Sequence, residues 1–216
     1  ASCLVGSEMC IRDSLYGDEK RRFTASTHEY LIDQVQVKES IVEQANNKTT
    51  YNINSFSHPV KAIYWVVQNT GEALTPAENN GIASTNRGMG PCYFISMTNS
   101  SLYGSDATSG TFNLKLNGYN SKKDSPIIHF TRHQPGQYCK HIPPLDRIGM
   151  YSFAFNPFDF QPSGTCNMSK IKNKEIELEI SNNNTTIINN NKLFIFAVNY
   201  NVLKISEGLG GLLFSH

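Results

Sequence analysis

Hydrophobic and polar residues alternate along most of this chain with a period of two. Val35 and Val37 alternate with Gln34, Gln36 and Lys38. Phe112, Leu114 and Leu116 alternate with Asn113, Lys115 and Asn117. Tyr151, Phe153 and Phe155 alternate with Ser152 and Ala154, and Ile176, Leu178 and Ile180 with Glu175, Glu177 and Glu179. Successive side chains of an extended chain point to opposite faces, so each segment is expected to turn its apolar face to a core and the other to water. Residues 62–67 and 193–198, the latter running on to Ile205, are apolar at almost every position. That pattern predicts mid-sheet strands covered on both sides.

Turn-forming residues separate these segments. Residues 70–91 hold Gly71, Pro76, Asn79-Asn80-Gly81, Gly88 and Gly90-Pro91, and residues 99–110 are rich in Ser and Gly. Residues 156–164 hold Pro157 and Pro162, and residues 181–191 are nearly all Asn and Thr. These are loops by their turn chemistry. The loop after Asn69 is long for a compact domain, which points to an interface or functional surface. Residues 39–46 form the one helix candidate, short and weak. Seven or eight strands with long loops predict an all-β, two-sheet sandwich. Periodicity does not separate a jelly roll from an immunoglobulin-like sandwich, although no Cys…Trp…Cys arrangement favours the latter.

Composition narrows the function. Hydrophobic residues make up 39% of the 216, enough to fill a core, and 12 Phe and 10 Tyr fit strands better than helices. Tyr64, Trp65, Tyr151, Phe153, Phe155, Phe194 and Phe196 are expected to form its aromatic centre. The net charge of +1 leaves no basic field for a phosphate backbone. Lys20-Arg21-Arg22 follows Asp18 and Glu19 and reads as a solvated strand entry. There is no apolar run of about 18 residues, so no transmembrane helix is expected. Cys3, Cys10, Cys92, Cys139 and Cys166 are odd in number and match no disulfide or zinc spacing, which suits free thiols in a reducing compartment. Residues 1–16 lack both strand and helix patterning and the layout of a signal peptide. Their first 14 residues resemble a translated linker. They are expected to be a non-native or disordered leader to a domain spanning residues 17–216.

Candidate chemistry is sparse. His129, His133, Cys139 and His141 offer metal-ligand atoms, but they lack the paired-histidine spacing of a cupin and lie among Pro135, Gly136, Pro143 and Pro144. Asp124, Asp146 and Asp159 are loop carboxylates of the kind any loop-rich chain carries. Ser163-Gly164 lacks the flanks of a nucleophile elbow. No catalytic, cofactor-binding or metal site is therefore expected. Sequons occur at Asn47, Asn99, Asn167, Asn183 and Asn184, and in an Asn-rich chain many arise by chance.

Five strings, in order and spacing, carry a resemblance: HEYLIDQVQ from His28, HPVKAIYWVVQN from His58, LNGYN from Leu116, MYSFAFNPFDFQPSGTCNMSKI from Met150 and AVNYNVLKISEGLGGLLFS from Ala197. Together they resemble the major capsid proteins of nucleocytoplasmic large DNA viruses, over nearly everything from Gly17 onward. The resemblance implies an eight-stranded jelly-roll sandwich, the second half of a double jelly roll. It also implies three copies per pseudo-hexagonal capsomer in an icosahedral shell over an internal membrane. The expected partners are the protein itself as a homotrimer, neighbouring capsomers and minor capsid proteins, with no direct nucleic-acid contact. The expected location is the virion, assembled in host cytoplasm. Gly164, Gly208, Gly210 and Gly211 are expected to permit tight turns or close chain approach where copies meet, and surface meant for the first jelly roll is expected to make the isolated piece associate. The alternatives are a lectin-like carbohydrate-binding β-sandwich, which would use exposed loop aromatics such as Phe158 and Phe160, and a cupin-like metalloenzyme.

Overall fold

A computed structural model of the chain describes residues 17–42, 48–69, 110–139, 148–179, 191–206 and 209–214. Residues 1–16, the loop of residues 70–91, residues 99–109, residues 181–190 and His141 lie outside these. The described strands are β1 (His28–Val42), β2 (Lys48–Asn52), β3 (Pro59–Asn69), β4 (Thr111–Leu116), β5 (Tyr119–Pro126), β6 (Ile148–Ser152), β7 (Cys166–Asn167), β8 (Lys174–Glu179), β9 (Asn191–Ser206) and β10 (Leu209–Leu212). One sheet runs β1-β9-β3-β6, with β10 added to β9 and β7 to β3, and the other runs β2-β8-β4-β5.

Set aside the short β7 and β10, and the remaining strands pair first with last. β1 neighbours β9, β2 neighbours β8, β3 neighbours β6 and β4 neighbours β5. That is one long hairpin folded over into two sheets, further joined by β9 on β3 and β8 on β4. This connectivity is an eight-stranded jelly roll and separates it from an immunoglobulin-like sandwich, as periodicity could not. The hairpin tip is the turn between β4 and β5. Leu116 pairs with Tyr119, and Asn117 and Gly118 both have positive φ, 52° and 80°. An Asn-Gly pair suits this mirror-image turn, whose twist matches that of the strands it joins. Asn117 Oδ1 also accepts from the amides of Lys172 and Asn173. Gly118→Ala should lower stability by about 1 kcal/mol, the cost of placing a side chain in the left-handed region. Chemical denaturation measures it, and an unchanged midpoint would rule the strain out.

Contacts divide the chain into two units, residues 35–199 and residues 1–34 with 200–216. In the larger, Trp65 stacks on Phe112 with ring centroids 4.4 Å apart, and Phe130 lies 4.5 Å from Phe112. Ile63, Val67, Leu114, Ile176, Leu178, Leu193, Ile195 and Ala197 complete this core. The expected aromatic centre is partly corrected. Trp65 and Tyr151 belong to it and Phe153 packs against it, but Tyr64, Phe194 and Phe196 occupy the alternate, half-buried positions. β6 ends at Ser152, so Phe155 leaves the strand and is exposed. Phe56, Phe112 and Phe130 take the buried places instead.

In the smaller unit, residues 17–25 form helix α1 (Gly17–Ala25), not a strand entry. Asp18 and Glu19 sit in its first turn and Arg22 in its last, the arrangement that suits the helix dipole. None of its residues is buried, so the expectation of a solvated segment holds while that of a strand does not. Phe23 stacks on His28 at 4.0 Å. Asn201 donates to Gln34 Oε1 and to the Phe214 carbonyl, tying β1 and the C-terminal residues to β9. The weak helix candidate is corrected over residues 39–42, which continue β1, and residues 43–46 lie outside the described residues. Strand β1 keeps its period because Gln36, Lys38 and Ser40 point inward in turn.

Candidate functional site

Among the described residues, the candidate metal ligands His129, His133 and Cys139 do not gather, and His141 lies outside them. Residues 129–133 form a π-helical turn that leads into α2 (Gln134–Tyr138), where an irregular connection was expected. The His129 and His133 rings lie 5.9 Å apart. Burial, and then the charges of Lys122 and His133, hold His129 below its ordinary pKa. Cys139 instead approaches the Met150 sulfur at 3.4 Å, and burial pushes its thiol pKa up. No three metal-ligating side chains converge among the described residues. Asp124 pairs with Lys48, Asp146 lies outside the described residues, and Asp159 sits in a turn. Ser163 Oγ accepts from the Asn156 amide, which holds that turn closed. Of the glycines expected at close approaches, Gly164 is required. Its φ is 144°, and a β-carbon there would sit 2.9 Å from the Phe153 oxygen. Gly211 has open space, Gly210 has only an ordinary contact with Ile205, and Gly208 lies outside the described residues.

What the fold does build is two unlike outer faces. On the four-stranded sheet, the alternate positions of β2, β4 and β8 carry Lys48, Asn113, Lys115, Glu177 and Glu179. Glu177 binds the Lys115 ammonium, accepts from Asn113 at 2.7 Å and lies 3.5 Å from Lys48, which also holds Asp124. Thr111 donates to Glu179 at 3.0 Å. Burial alone would raise the Glu177 pKa. The hydrogen bonds from Lys115 and Asn113, with the charges of Lys115 and Lys48, outweigh it and leave the carboxyl below its ordinary value of 4.5. A carboxyl with a depressed folded pKa stabilises the fold above its unfolded value, and loses that contribution as pH falls through the folded one. Unfolding temperature should therefore drop as pH falls below 4.5, and Glu177→Gln should flatten that slope. Identical slopes in parent and variant would show that the network does not set it.

The outer face of the six-stranded sheet is richer in apolar residues, although Asp33 and Glu39 share the exposed row of β1 and Lys192 pairs with Glu39. It presents Tyr64 and Val66 from β3, Phe194, Phe196 and Val198 from β9, and Val35, Val37 and Ile41 from β1. Here the sequence expectation for β1 inverts. Val35, Val37 and Ile41 are 60%, 55% and 66% exposed, while Gln34, Gln36 and Lys38 turn inward. Gln36 explains the inversion. Its amide donates to Ser57 O at 2.8 Å and to Asn199 Oδ1 at 2.9 Å, and its oxygen accepts from the Ser57 amide. The missed signal is the polar pair Asn199 and Asn201, which supplies inward partners to Gln36 and Gln34. A second apolar feature is the turn after β6, where Phe155 and Phe158 are exposed and Phe160 is 99% exposed.

The comparisons with known proteins agree with this architecture. A family model described as "large eukaryotic DNA virus major capsid protein" matches residues 19–211. The major capsid protein of Pyramimonas orientalis virus is 31% identical over 92% of this chain and 46% of its own length. That of Paramecium bursaria Chlorella virus 1 is 31% identical over 92% of this chain and 51% of its own. The chain thus spans about half the length of the curated relatives it matches. Among solved structures, the capsid of the Chlorella virus PBCV-1 superposes with a TM-score of 0.69 and 26% identity, over 94% of this chain and 55% of that one. The Faustovirus major capsid protein, 16% identical with a TM-score of 0.53, shares the fold. Neither alternative finds support, carbohydrate-binding sandwich or cupin, because the family matched is one of structural capsid proteins. From the rolled hairpin and the match to residues 19–211, this chain belongs to the major capsid protein family of large eukaryotic DNA viruses.

Proposed function

We propose that the chain is a structural part of an icosahedral viral capsid and assembles with itself into trimeric, pseudo-hexagonal capsomers. The family match over residues 19–211 carries this reading. The physics of the fold supports it. A jelly roll keeps its backbone hydrogen bonds within two sheets and leaves its outer faces and loops for contacts. In this reading the protein carries out no catalysis and holds no cofactor. It meets neighbouring capsomers and minor capsid proteins, lies near an internal membrane and does not touch nucleic acid. The net charge of +1 supports the last point. Free Cys139 and Cys166 suit assembly in the reducing cytoplasm of a host. Residues 1–16 are proposed as a leader outside the domain of residues 17–216.

Quantitative mass spectrometry of purified virus particles tests the reading. Peptides from residues 17–216 should rank among the most abundant in the shell, and should remain with it after the genome and membrane are stripped. Their absence from particles made by cells that express the chain would overturn the proposal.

A further inference from the structure

The π-helical turn of residues 129–133 and α2 pack on β6, and the turn also packs on β5. Phe130 anchors the segment in the core, 4.5 Å from Phe112. Gln134 anchors it again, because its Oε1 accepts from the Ser152 amide at 3.1 Å. Between these anchors the hold is weaker. The Thr131 hydroxyl is buried and has no hydrogen-bond partner among the described residues, which costs the closed form stability. π-helical turns are rare and occur often at functional sites.

This turn carries a histidine at each end. The His129 and His133 rings lie 5.9 Å apart, and His129 stands edge-on to Phe130 with centroids at 5.0 Å. The charge around them is mostly positive. Arg132 shares the turn, and β5 brings Lys122 and Lys123. β5 also carries Asp124, the one carboxylate on the elements described as packing here, and Lys48 already holds it. The other titratable side chains are Tyr119 on β5, Tyr138 on α2 with Cys139 after it, and Tyr151 on β6. Phenols and a thiol offer no negative charge below neutral pH. Burial, and then the charges of Lys122 and His133, accordingly disfavour a proton on His129.

We propose that the histidine pair is an acid-operated latch: neutral imidazoles keep residues 129–138 closed on β6, and their protonation below neutral pH opens the segment. Imidazole is the side chain that ordinarily gains its charge in that range. Two imidazolium rings at this spacing repel each other and Lys122, and a charge on His129 is also desolvated against Phe130. The direction follows from the same groups. A histidine whose proton the closed form disfavours takes it more readily once the segment opens. Closure is therefore secure above pH 6.5 and weakens as pH falls below it. That window lies above the one set by Glu177. Opening bares Cys139 and Met150, whose sulfurs meet 3.4 Å apart where α2 ends.

Hydrogen exchange of the 216-residue chain tests this, read peptide by peptide by mass spectrometry and corrected for the intrinsic pH dependence of exchange. Between about pH 7.5 and about pH 5.5 the opening of residues 129–138 should rise about tenfold, the effect of one proton taken up over about one pH unit. Strands β3 and β9 should keep their protection. His129→Gln, neutral throughout, should hold residues 129–138 equally closed at both pH values. If that variant fails to fold, Lys122→Gln should move the onset of opening to lower pH. A parent segment with the same protection at both pH values would overturn the proposal. A variant that opens as the parent does would overturn it too. So would protection lost from β3 and β9 in step with residues 129–138, which would make the acid response a property of the whole fold.

Discussion

Gly149→Ala is expected to destabilise the fold by about 3 kcal/mol, the upper end of the usual cost of overpacking a core. Gly149 pairs with Trp65 across β3 and β6. A β-carbon at Gly149 would fall inside the Trp65 indole, against its Cε2, Cζ2 and Nε1 atoms. The ring cannot retreat. Trp65 is fully buried, stacked on Phe112 and 5.9 Å from Phe130. Interiors packed to crystal density move little to admit an extra methyl. The test is a double-mutant cycle by chemical denaturation. In a Trp65→Leu background the added methyl has room, so Gly149→Ala should cost much less there, with an interaction energy above about 1 kcal/mol. Additive effects would show that the clash is not with Trp65.

Lys174→Met is expected to cost about 2–5 kcal/mol by a different route. Lys174 heads β8 at a position the alternating pattern reserves for the core, and it is buried. Its ammonium donates to the Phe56 carbonyl at 2.6 Å and to the Met168 carbonyl at 3.0 Å. Methionine fills the same space but leaves both acceptors without that donor, at about 1–3 kcal/mol each. Relief from burying a charge offsets part of this loss. That burial also sets the pH behaviour. Desolvation lowers the Lys174 pKa below its ordinary 10.5, against a smaller upward pull from Cys166. The unfolded chain then holds the proton more tightly, so the burden on the fold eases as pH rises from the folded pKa to 10.5. The stability gap between parent and variant should widen over that window. A gap that narrows would mean that the carbonyls favour the charged form more than burial opposes it.

Much of this protein can be read from its residues. Alternation at 112–117 and 175–180 placed Phe112, Leu114, Ile176 and Leu178 in the core, where they are, and Ile180 lies outside the described residues. The two continuously apolar segments are the central strands β3 and β9 of their sheet. The turn at 156–164 is held by Ser163 and Asn156, as its prolines and glycine suggested. The misses have local and distant causes. Lys20-Arg21-Arg22 belongs to a helix because Asp18 and Glu19 open it. Lys174 lies just before the alternating run that begins at Glu175, and the Phe56 and Met168 carbonyls, 118 and 6 residues away in sequence, make its burial tolerable.

By itself the sequence determined that the chain is a β-sandwich, because a period of two is a property of each strand alone. It determined the family as well, through strings spread from His28 to Ser215. It did not determine which face of β1 turns inward. A period of two defines two faces and leaves their assignment to the partners each one meets. Val35, Val37 and Ile41 are the apolar set, yet Gln34 and Gln36 went inside because Asn199, Asn201 and Ser57 were waiting there. Those partners lie 21 to 167 residues away from the glutamines they bind. Only the rolled hairpin, bringing first strand against last, joined them and left an apolar stripe in water.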